Sequence, residues 1–174
     1  PSKFVEIDGT RIHYRDEGSG PTVIMIHGVL ASLHTWDGWA ADLRKDHRVI
    51  RFDTPAFGLT GPLASGEYNR DNYLKLFDQF LSKVGAPEKF TLVGNSLGGY
   101  FAWSYAAKSP ERVERVALLD AAAYPQEMPF VLKLVKAPLV RNAPASLTPE
   151  FIVRQNVESV YGDAGRIRPG TVEL

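Results

Sequence analysis

Apolar and polar positions are grouped along this chain in blocks that predict strands and helices in turn between residues 22 and 119. The block 22–26 is an almost continuous apolar run, which is typical of a strand buried on both faces of a parallel sheet. The block 70–84 instead places its apolar residues on one stripe of a helix. Strands are predicted at 22–26, 48–52, 90–93 and 113–119, and helices at 36–44, 70–84 and 97–108. This order predicts an α/β fold, a mostly parallel sheet with helices on both faces.

The N-terminal residues predict a different pairing. Two short runs, Phe4–Ile7 and Arg11–Tyr14, are joined through the Asp-Gly pair at 8–9, which is typical of a tight hairpin turn. We therefore expect two antiparallel strands ahead of the parallel sheet.

The pattern changes again after residue 120. Half of the twelve prolines lie from Pro125 onward, and the alternation of buried strands and helices stops. Two helical segments are predicted there, a short apolar one at 129–136 and another at 148–162.

Composition excludes several classes of function. The 174 residues carry twenty basic and twenty acidic side chains, so no net field attracts nucleic acid or anionic lipid. Cysteine is absent, which excludes disulfides and thiolate metal sites. No apolar stretch approaches the ~20 residues of a membrane span, and the first residues lack the apolar segment of a secretory signal. We expect a cytoplasmic protein with no nucleic-acid partner, no membrane partner, and neither metal nor cofactor.

The strongest candidate for chemistry is Ser96, in the sequence Gly94-Asn95-Ser96-Leu97-Gly98. This G-x-S-x-G pattern lies between a predicted strand and a predicted helix, the context in which a serine becomes a nucleophile. A very tight turn holds the serine backbone under strain of about 1–3 kcal/mol. Larger side chains two positions either side would collide across the turn, so glycine fits there. The serine hydroxyl is then expected to project from the sheet edge above the start of a helix.

A second candidate element follows the strand at 22–26, where His27-Gly28-Val29 makes a turn. The backbone N–H of Val29 is expected to point toward the same space as the N–H of Leu97. Two converging backbone donors are what a developing oxyanion requires. The alternative is a plain turn at a strand end, with His27 hydrogen-bonded locally.

The base that would activate Ser96 is not evident in this sequence. A serine needs a base near neutral pH, yet the four histidines are residues 13, 27, 34 and 47, all ahead of Ser96. His34 is expected to be a polar loop residue. Asp53 is expected to accept hydrogen bonds from its own loop rather than to act as the catalytic acid. Asp120, at the end of the last predicted strand, is a minor candidate for that acid.

Together these residues resemble the α/β-hydrolase fold family over residues 4–120, with the start of a cap-like region beyond. His27-Gly28, followed by Ser32 and Trp36, is similar to the segment that follows a central strand in that family. Serine at position 96 is similar to the esterases and C–C bond hydrolases of the family, and argues against its dehalogenase and epoxide-hydrolase branches, which carry aspartate.

The loop at 53–60 is similar to the family's D-x-P-G-x-G-x-S pattern but departs from it at two positions. Ala56 replaces a glycine and Thr60 replaces the serine. These departures loosen the loop match without touching the catalytic residues.

The resemblance implies a division of the chain and a missing part. Residues 1–120 correspond to the N-terminal part of the hydrolase core and residues 121–174 to the start of a helical cap. The family has a sheet of about eight strands and a triad in the order Ser, acid, His. Only six strands are predicted here, so the fold is expected to be incomplete on its C-terminal side, with the strand at 113–119 left as an open edge. We expect a second polypeptide segment or chain to complete the sheet and the triad.

The function implied is a serine hydrolase that cleaves a small hydrophobic carboxylic ester or related acyl substrate, with its base supplied from outside this chain. Two neighbouring alternatives on the same scaffold are a C–C bond hydrolase and a perhydrolase. A non-catalytic ligand-binding homologue, or an inactive fragment, is the alternative from another class.

Overall fold

The computed structural model describes residues 1–124, together with Arg154 and Gly165. A six-stranded sheet lies at its centre, in the spatial order β1-β2-β4-β3-β5-β6. The strands are β1 (Lys3–Ile7), β2 (Thr10–Glu17), β3 (Thr22–Ile26), β4 (Arg48–Phe52), β5 (Phe90–Asn95) and β6 (Val113–Leu119). The helices are a 3₁₀ turn (Leu33–Trp36), α1 (Asp37–Leu43), α2 (Arg70–Lys83) and α3 (Leu97–Lys108).

The sheet is mixed but mostly parallel, as predicted. Strand β1 pairs with β2 and β2 with β4 in antiparallel fashion, whereas β3, β4, β5 and β6 pair in parallel. The hairpin turn contains Asp8 and Gly9, both at positive φ, as a tight hairpin turn requires. The predicted α/β fold class is confirmed.

Helices cover both faces of the sheet because the side chains of its central strand alternate between two cores. Ile24 and Ile26 of β3 belong to the larger core, which also contains the aromatic side chains of α2 and α3. Val23 and Met25 point to the opposite face, where they join Trp36 in the smaller core beside α1. Every residue of β3 is buried, which explains the continuous apolar run.

Strand β2 is longer than the sequence predicted, since it continues through three charged residues to Glu17. Asp16 receives two hydrogen bonds from the guanidinium of Arg48, each 2.9 Å long. Glu17 lies 2.9 Å from Nη2 of Arg51, whose side chain is almost fully buried. Opposite charges on two neighbouring strands therefore replace the apolar contacts that strand prediction looks for.

Strand β6 is an open edge within residues 1–124, because β5 is its only partner there. Its run Val-Ala-Leu-Leu at 116–119 is apolar, yet Val116 is 38% exposed and Leu118 is 46% exposed. An apolar strand at an unpaired edge is a site where a further strand adds readily.

The helices predicted at 129–136 and 148–162 lie outside the described residues. The chain forms two compact units, Pro1–Pro125 and Gln126–Leu174, and the division into a core at 1–120 and a cap start at 121–174 stays a prediction. In the part of the chain that the structure describes, no helix combines the length and apolarity needed to span a membrane.

Candidate active site

Ser96 occupies the turn between β5 and α3 in a strained backbone conformation. Its φ is 51° and its ψ is −113°, a combination that residues other than glycine rarely adopt. Its backbone N–H donates to the carbonyl of Leu119 at 3.0 Å, and its carbonyl accepts from the N–H groups of Tyr100 and Ala122. The side chain is half-buried and makes no capping hydrogen bond to α3. Three backbone hydrogen bonds thus fix the main chain of Ser96, and its hydroxyl does not contribute to them.

Glycines on either side permit this turn, as the sequence predicted. A Cβ at Gly94 would meet the backbone of Gly98 and lie 2.7 Å from Cα of Gly99. A Cβ at Gly98 would meet the carbonyls of Ile26 and His27, the latter at 2.5 Å. A side chain is therefore excluded at Gly94 by the turn itself and at Gly98 by the end of β3.

The turn after β3 lies directly against the turn that holds Ser96. A Cβ at Gly28 would sit 3.2 Å from Cβ of Ser96 and 2.8 Å from Oδ1 of Asn95. Within residues 1–124, the N–H groups of Val29 and Leu97 have no hydrogen-bond partner. Each of these two neighbouring turns thus has one backbone donor without a partner in this part of the chain, and the role of the two donors in holding an oxyanion stays a prediction.

His27 is fully buried and both of its ring nitrogens are occupied. Nδ1 lies 2.7 Å from the carbonyl of Gly28, and Nε2 accepts the backbone N–H of Thr54 at 3.0 Å. These partners require the neutral tautomer that carries its proton on Nδ1. Burial lowers the pKa of His27 below its usual 6.5, which also favours the neutral ring. His27 therefore has no free nitrogen with which to take a proton from Ser96.

None of the other histidines contacts Ser96. His34 is exposed and pairs with Asp37 at 2.9 Å, so it is a polar surface residue as predicted, although it lies in the 3₁₀ turn Leu33–Trp36 rather than in a loop. His47 pairs with its neighbour Asp46. His13 is buried in a pair with Asp53, the residue that follows β4. No histidine of this sequence is placed to be the base.

Asp53 is confirmed as the residue that organises its own loop. Its Oδ2 accepts the N–H of Leu59 at 2.8 Å, and its Oδ1 accepts the N–H of Leu33 at 2.7 Å. Oδ2 also lies 2.8 Å from Nδ1 of His13, a partner 40 residues away that sequence reasoning missed. Gly58 lies at φ +55°, where a Cβ would overlap this carboxylate. The signal that could have found the pair was a histidine inside a strand followed by an aspartate at the end of the strand beside it.

Asp120 lies immediately after β6, exposed and at a positive φ of 45°. Aspartate is one of the residues that tolerate this conformation. The backbone N–H of Ser96 donates to the carbonyl of Leu119, and Asp120 is the next residue along the chain. Asp120 therefore directly follows the residue that contacts the turn at Ser96. Its candidacy as the catalytic acid stays a prediction.

A hollow of about 350 Å³ opens beside Leu97, between the loop after β4 and the first turns of α2 and α3. Phe57, Tyr73, Tyr100 and Phe101 line most of it, and the rings of Tyr73 and Phe101 stack with their centres 4.4 Å apart. Burial raises the pKa of Tyr73 to about 12, so its phenol stays neutral and donates to the carbonyl of Pro55 at 3.3 Å. Aromatic rings thus form part of the wall of the hollow beside Leu97, and Arg70 contributes a charged side chain to the same lining.

Comparison with known families agrees with this geometry. The model of the alpha/beta hydrolase fold matches residues 21–142. The chain belongs to the α/β-hydrolase fold family. Within residues 1–124, no group of three or more acidic or histidine side chains could hold a metal ion.

Relatives within the α/β-hydrolase family include enzymes of different activity. The chain is 36% identical over 119 residues, 66% of its length, to a 2-hydroxymuconate semialdehyde hydrolase of a Pseudomonas species, of which it covers 41%. It is 33% identical over 120 residues, 67% of its length, to a monoacylglycerol lipase of Xenopus laevis, of which it covers 36%. Among solved structures, a bacterial membrane phospholipase A matches 74% of this chain and 42% of its own, with a TM-score of 0.68 and 31% identity.

The chain spans 42% of the length of several curated relatives that it matches. The enzymes to which this α/β-hydrolase chain is similar therefore contain long regions that have no counterpart in residues 1–174.

Proposed function

We propose that this chain carries the nucleophile and the oxyanion donors of a serine hydrolase that cleaves a carboxylic ester or a related acyl compound. The observation that carries the proposal is that Ser96 has a strained backbone conformation while its hydroxyl makes no capping hydrogen bond to α3. Strain of this kind persists where surrounding structure enforces it, and it clusters at active sites. The similarity to a monoacylglycerol lipase and to a phospholipase A supports ester cleavage.

In the first half of the reaction, Oγ of Ser96 attacks the carbonyl carbon of the substrate. The hydroxyl proton passes to a histidine outside these 174 residues. The carbonyl oxygen becomes an oxyanion, which the N–H groups of Val29 and Leu97 stabilise; one such donor contributes about 3–4 kcal/mol. When the tetrahedral intermediate collapses, the bond to the alcohol breaks and the histidine returns the proton to the leaving oxygen.

In the second half, water attacks the acyl-enzyme. The same histidine takes a proton from that water, and the same two N–H groups hold the oxyanion. When this second intermediate collapses, the bond between the acyl carbon and Oγ of Ser96 breaks, the histidine gives its proton to Oγ, and the carboxylic acid departs. An acid oriented toward the histidine completes the triad, either from outside the chain or, less favoured, as Asp120. No step requires a metal or an organic cofactor.

The substrate is proposed to be small and hydrophobic. The hollow beside Leu97 has a volume of about 350 Å³, and its aromatic side chains favour an apolar group. Arg70 also lines the hollow, but its charge is already paired with Asp71 at 2.9 Å. The Tyr73 hydroxyl already donates to Pro55, so it is not an unpaired polar group that an apolar substrate would bury.

A second polypeptide segment is proposed to complete the enzyme. The exposed apolar face of β6 favours the addition of another strand, and that strand would carry the missing residues toward Ser96 through the edge at Leu119. The segment is either a continuation of this chain or a separate chain.

A C–C bond hydrolase on the same site is the second candidate function. The similarity to a 2-hydroxymuconate semialdehyde hydrolase, at 36% identity, favours it. Rates measured on simple esters and on vinylogous diketones distinguish the two reactions.

A fluorophosphonate tests the proposal on the protein isolated intact from its native source, whose measured mass also reveals any additional polypeptide. We expect covalent labelling at Ser96, located by mass spectrometry of peptides. The expressed Ser96→Ala variant should lose the label, while Ser82→Ala, at an exposed serine of α2, should keep it. An intact protein that leaves Ser96 unlabelled would instead be a ligand-binding homologue or an inactive fragment, and the proposal would be wrong.

A further inference from the structure

Five charged side chains beside α1 form a series of ion pairs in which the sign of the charge alternates. Arg51 of β4 is at the centre, with its side chain only 3% exposed. Its Nη2 donates to Oε2 of Glu17 at 2.9 Å, and its Nη1 donates to Oδ1 of Asp37. On one side, Nη1 of Arg44 lies 3.6 Å from Oε1 of Glu17. On the other, Nη1 of Arg15 lies 3.8 Å from Oδ1 of Asp37. The series therefore begins and ends with an arginine.

The pairing of β2 with β4 brings these side chains to one face of the sheet. Arg15 is directly opposite Arg51 in the antiparallel register, so both side chains point to the same face. Val49, two residues before Arg51, belongs to the smaller core beside α1, which identifies that face. Like charges directly opposite each other destabilise a sheet, and Asp37 pairs with both guanidinium groups. One carboxylate thus serves two arginines, and the series keeps an excess of one positive charge.

The series also has more hydrogen-bond donors than acceptors in the part of the chain that the structure describes. There, Nε of Arg15 and Nε of Arg51 are buried without a partner. The contact of Arg44 with Glu17, at 3.6 Å, is too long for a hydrogen bond. Nδ1 of His34 occupies the remaining oxygen of Asp37 at 2.9 Å. An additional acceptor is therefore what this cluster lacks.

Both carboxylates are ionised at neutral pH. Burial alone would raise the pKa of Glu17 and of Asp37, but hydrogen bonds outweigh it, from Arg51 to Glu17 and from His34 and Arg51 to Asp37. The pKa of each carboxyl group thus lies below its usual value. Three guanidinium groups therefore face two negative charges, and the excess persists at neutral pH.

A cleft of about 230 Å³ is lined by both ends of the series. Arg15 and Arg44 are 27% and 54% exposed in their side chains, so a ligand in water can reach both. Ala40 and Ala41 of α1 add a small apolar wall to the same cleft. The planar fork of arginine suits carboxylate oxygens, which accept two parallel hydrogen bonds. No residue that lines this cleft lines the hollow beside Leu97.

We propose that this cleft binds a small carboxylate whose oxygens bridge Arg15 and Arg44. One negative charge balances the excess of the series, and the carboxylate closes the five side chains into a ring of alternating charge. The volume of the cleft limits the ligand to a short alkyl chain, which lies against Ala41. The inference goes beyond the proposed function and does not depend on the chemistry of Ser96.

Sodium butyrate tests the site in the intact protein, because a ligand that binds only the folded chain raises the melting temperature. Sodium chloride at the same ionic strength is the reference, since it supplies the screening without the carboxylate. We expect a saturable rise in melting temperature with butyrate beyond that reference, and isothermal titration calorimetry gives the Kd. Sodium phosphate, whose additional charge faces Glu17 and Asp37, should bind more weakly than butyrate.

Four variants locate the site. Arg15→Gln and Arg44→Gln each remove one end of the series and should weaken butyrate binding about tenfold or more, since charge-assisted hydrogen bonds are the strong ones. Ala41→Leu, at an exposed position, fills the cleft without changing any charge and should also weaken binding. The matched control is Lys45→Gln, which removes an exposed cation paired with Asp42 outside the cleft and should change the Kd by less than about twofold.

The absence of a saturable response to butyrate would overturn the proposal, and so would equal losses of binding in Arg44→Gln and Lys45→Gln. Variants that change stability by the same amount with and without butyrate would make the series a structural ion-pair network only. Tighter binding of phosphate than of butyrate would overturn the carboxylate assignment. Ser96→Ala should bind butyrate as wild type does, and a loss of binding there would place the butyrate at the hydrolase site instead.

Discussion

His13 and Asp53 form a buried ion-pair geometry, with Nδ1 of the histidine 2.8 Å from Oδ2 of the carboxylate. Their side chains are only 1% and 2% exposed. Asp53 also accepts the N–H groups of Leu33 and Leu59, so one carboxylate joins β2, the 3₁₀ turn and its own loop. These three segments lie at the edge of the sheet on the β4 side of the site. Asp53 therefore stabilises the scaffold of the site rather than its chemistry.

Replacing Asp53 with alanine should lower the free energy of unfolding by about 3 kcal/mol or more, since the two buried donors of His13 and Leu33 lose their acceptor at about 1–3 kcal/mol each and the partly buried N–H of Leu59 loses its acceptor as well. Urea unfolding of the chain measures the change. The control is Asp42→Ala, an exposed aspartate paired with Lys45, which should change stability by less than about 0.5 kcal/mol. Losses of equal size in the two variants would contradict the role given to Asp53.

Two helical glycines should respond in opposite directions to alanine. Gly98→Ala forces a methyl group into the carbonyls that end β3, and should destabilise the chain by several kcal/mol or prevent folding. Gly38→Ala, in α1, meets nothing within 4 Å and should raise the free energy of unfolding by about 0.5–1 kcal/mol. Thermal unfolding of both variants checks the signs. A tolerated Gly98→Ala would mean that α3 and β3 are not in close contact.

The strain at Ser96 should be measurable as a stability difference. Glycine adopts φ near +51° without steric cost, so Ser96→Gly should be more stable than Ser96→Ala, which keeps a Cβ in the same conformation. We expect a difference of about 1–2 kcal/mol, because strain of about 1–3 kcal/mol is reduced by the greater entropy of unfolded glycine. Urea unfolding of the two variants side by side gives the value, and a more stable alanine variant would contradict the strained turn.

The parts of the fold that were predictable are those where burial alone sets the pattern. β3 and α3 have the predicted boundaries, because one is buried on every side and the other packs against three strands, β3, β5 and β6. The extension of β2 through Glu17 was not predictable from local pattern. Its residues are charged and are stabilised by arginines of β4, more than 30 positions further along the chain.

The candidate site divides in the same way. The turn at Ser96 and the need for glycine at position 94 follow from short-range sterics within the motif, whereas the need for glycine at position 98 comes from the carbonyls that end β3. The hydrogen bond between His27 and Thr54 does not follow from such short-range information, because the two residues are 27 positions apart and meet only through the pairing of β3 with β4. Of the two alternatives drawn from sequence for the turn at residues 27–29, the local hydrogen bond of His27 is present in the structure, and the oxyanion role of the turn stays a prediction.

His27 should make stability depend on pH. Burial lowers the pKa of His27 in the folded chain below 6.5, so under acidic conditions His27 binds a proton more readily in the unfolded chain than in the folded one. The free energy of unfolding should therefore fall as pH drops through 6.5, by at most about 1.4 kcal/mol per pH unit from this group.

Urea unfolding between about pH 8 and pH 5 measures this dependence. Other groups contribute equally to wild type and to His27→Gln, so the difference between the two curves isolates His27. The variant should show the shallower decline. Parallel curves would mean that His27 titrates normally and is not buried as described.

The open edge at β6 should make the isolated chain self-associate. Within residues 1–124, β6 pairs with β5 alone and Leu118 is 46% exposed, and a lysine on an edge strand blocks the addition of another strand. Leu118→Lys should therefore lower the concentration-dependent association seen by sedimentation velocity. Trp39→Lys adds the same charge at an equally exposed apolar residue of α1, away from the edge, and should change association less. If the two variants lower association equally, general surface hydrophobicity drives it, and β6 is not the strand to which a completing segment adds.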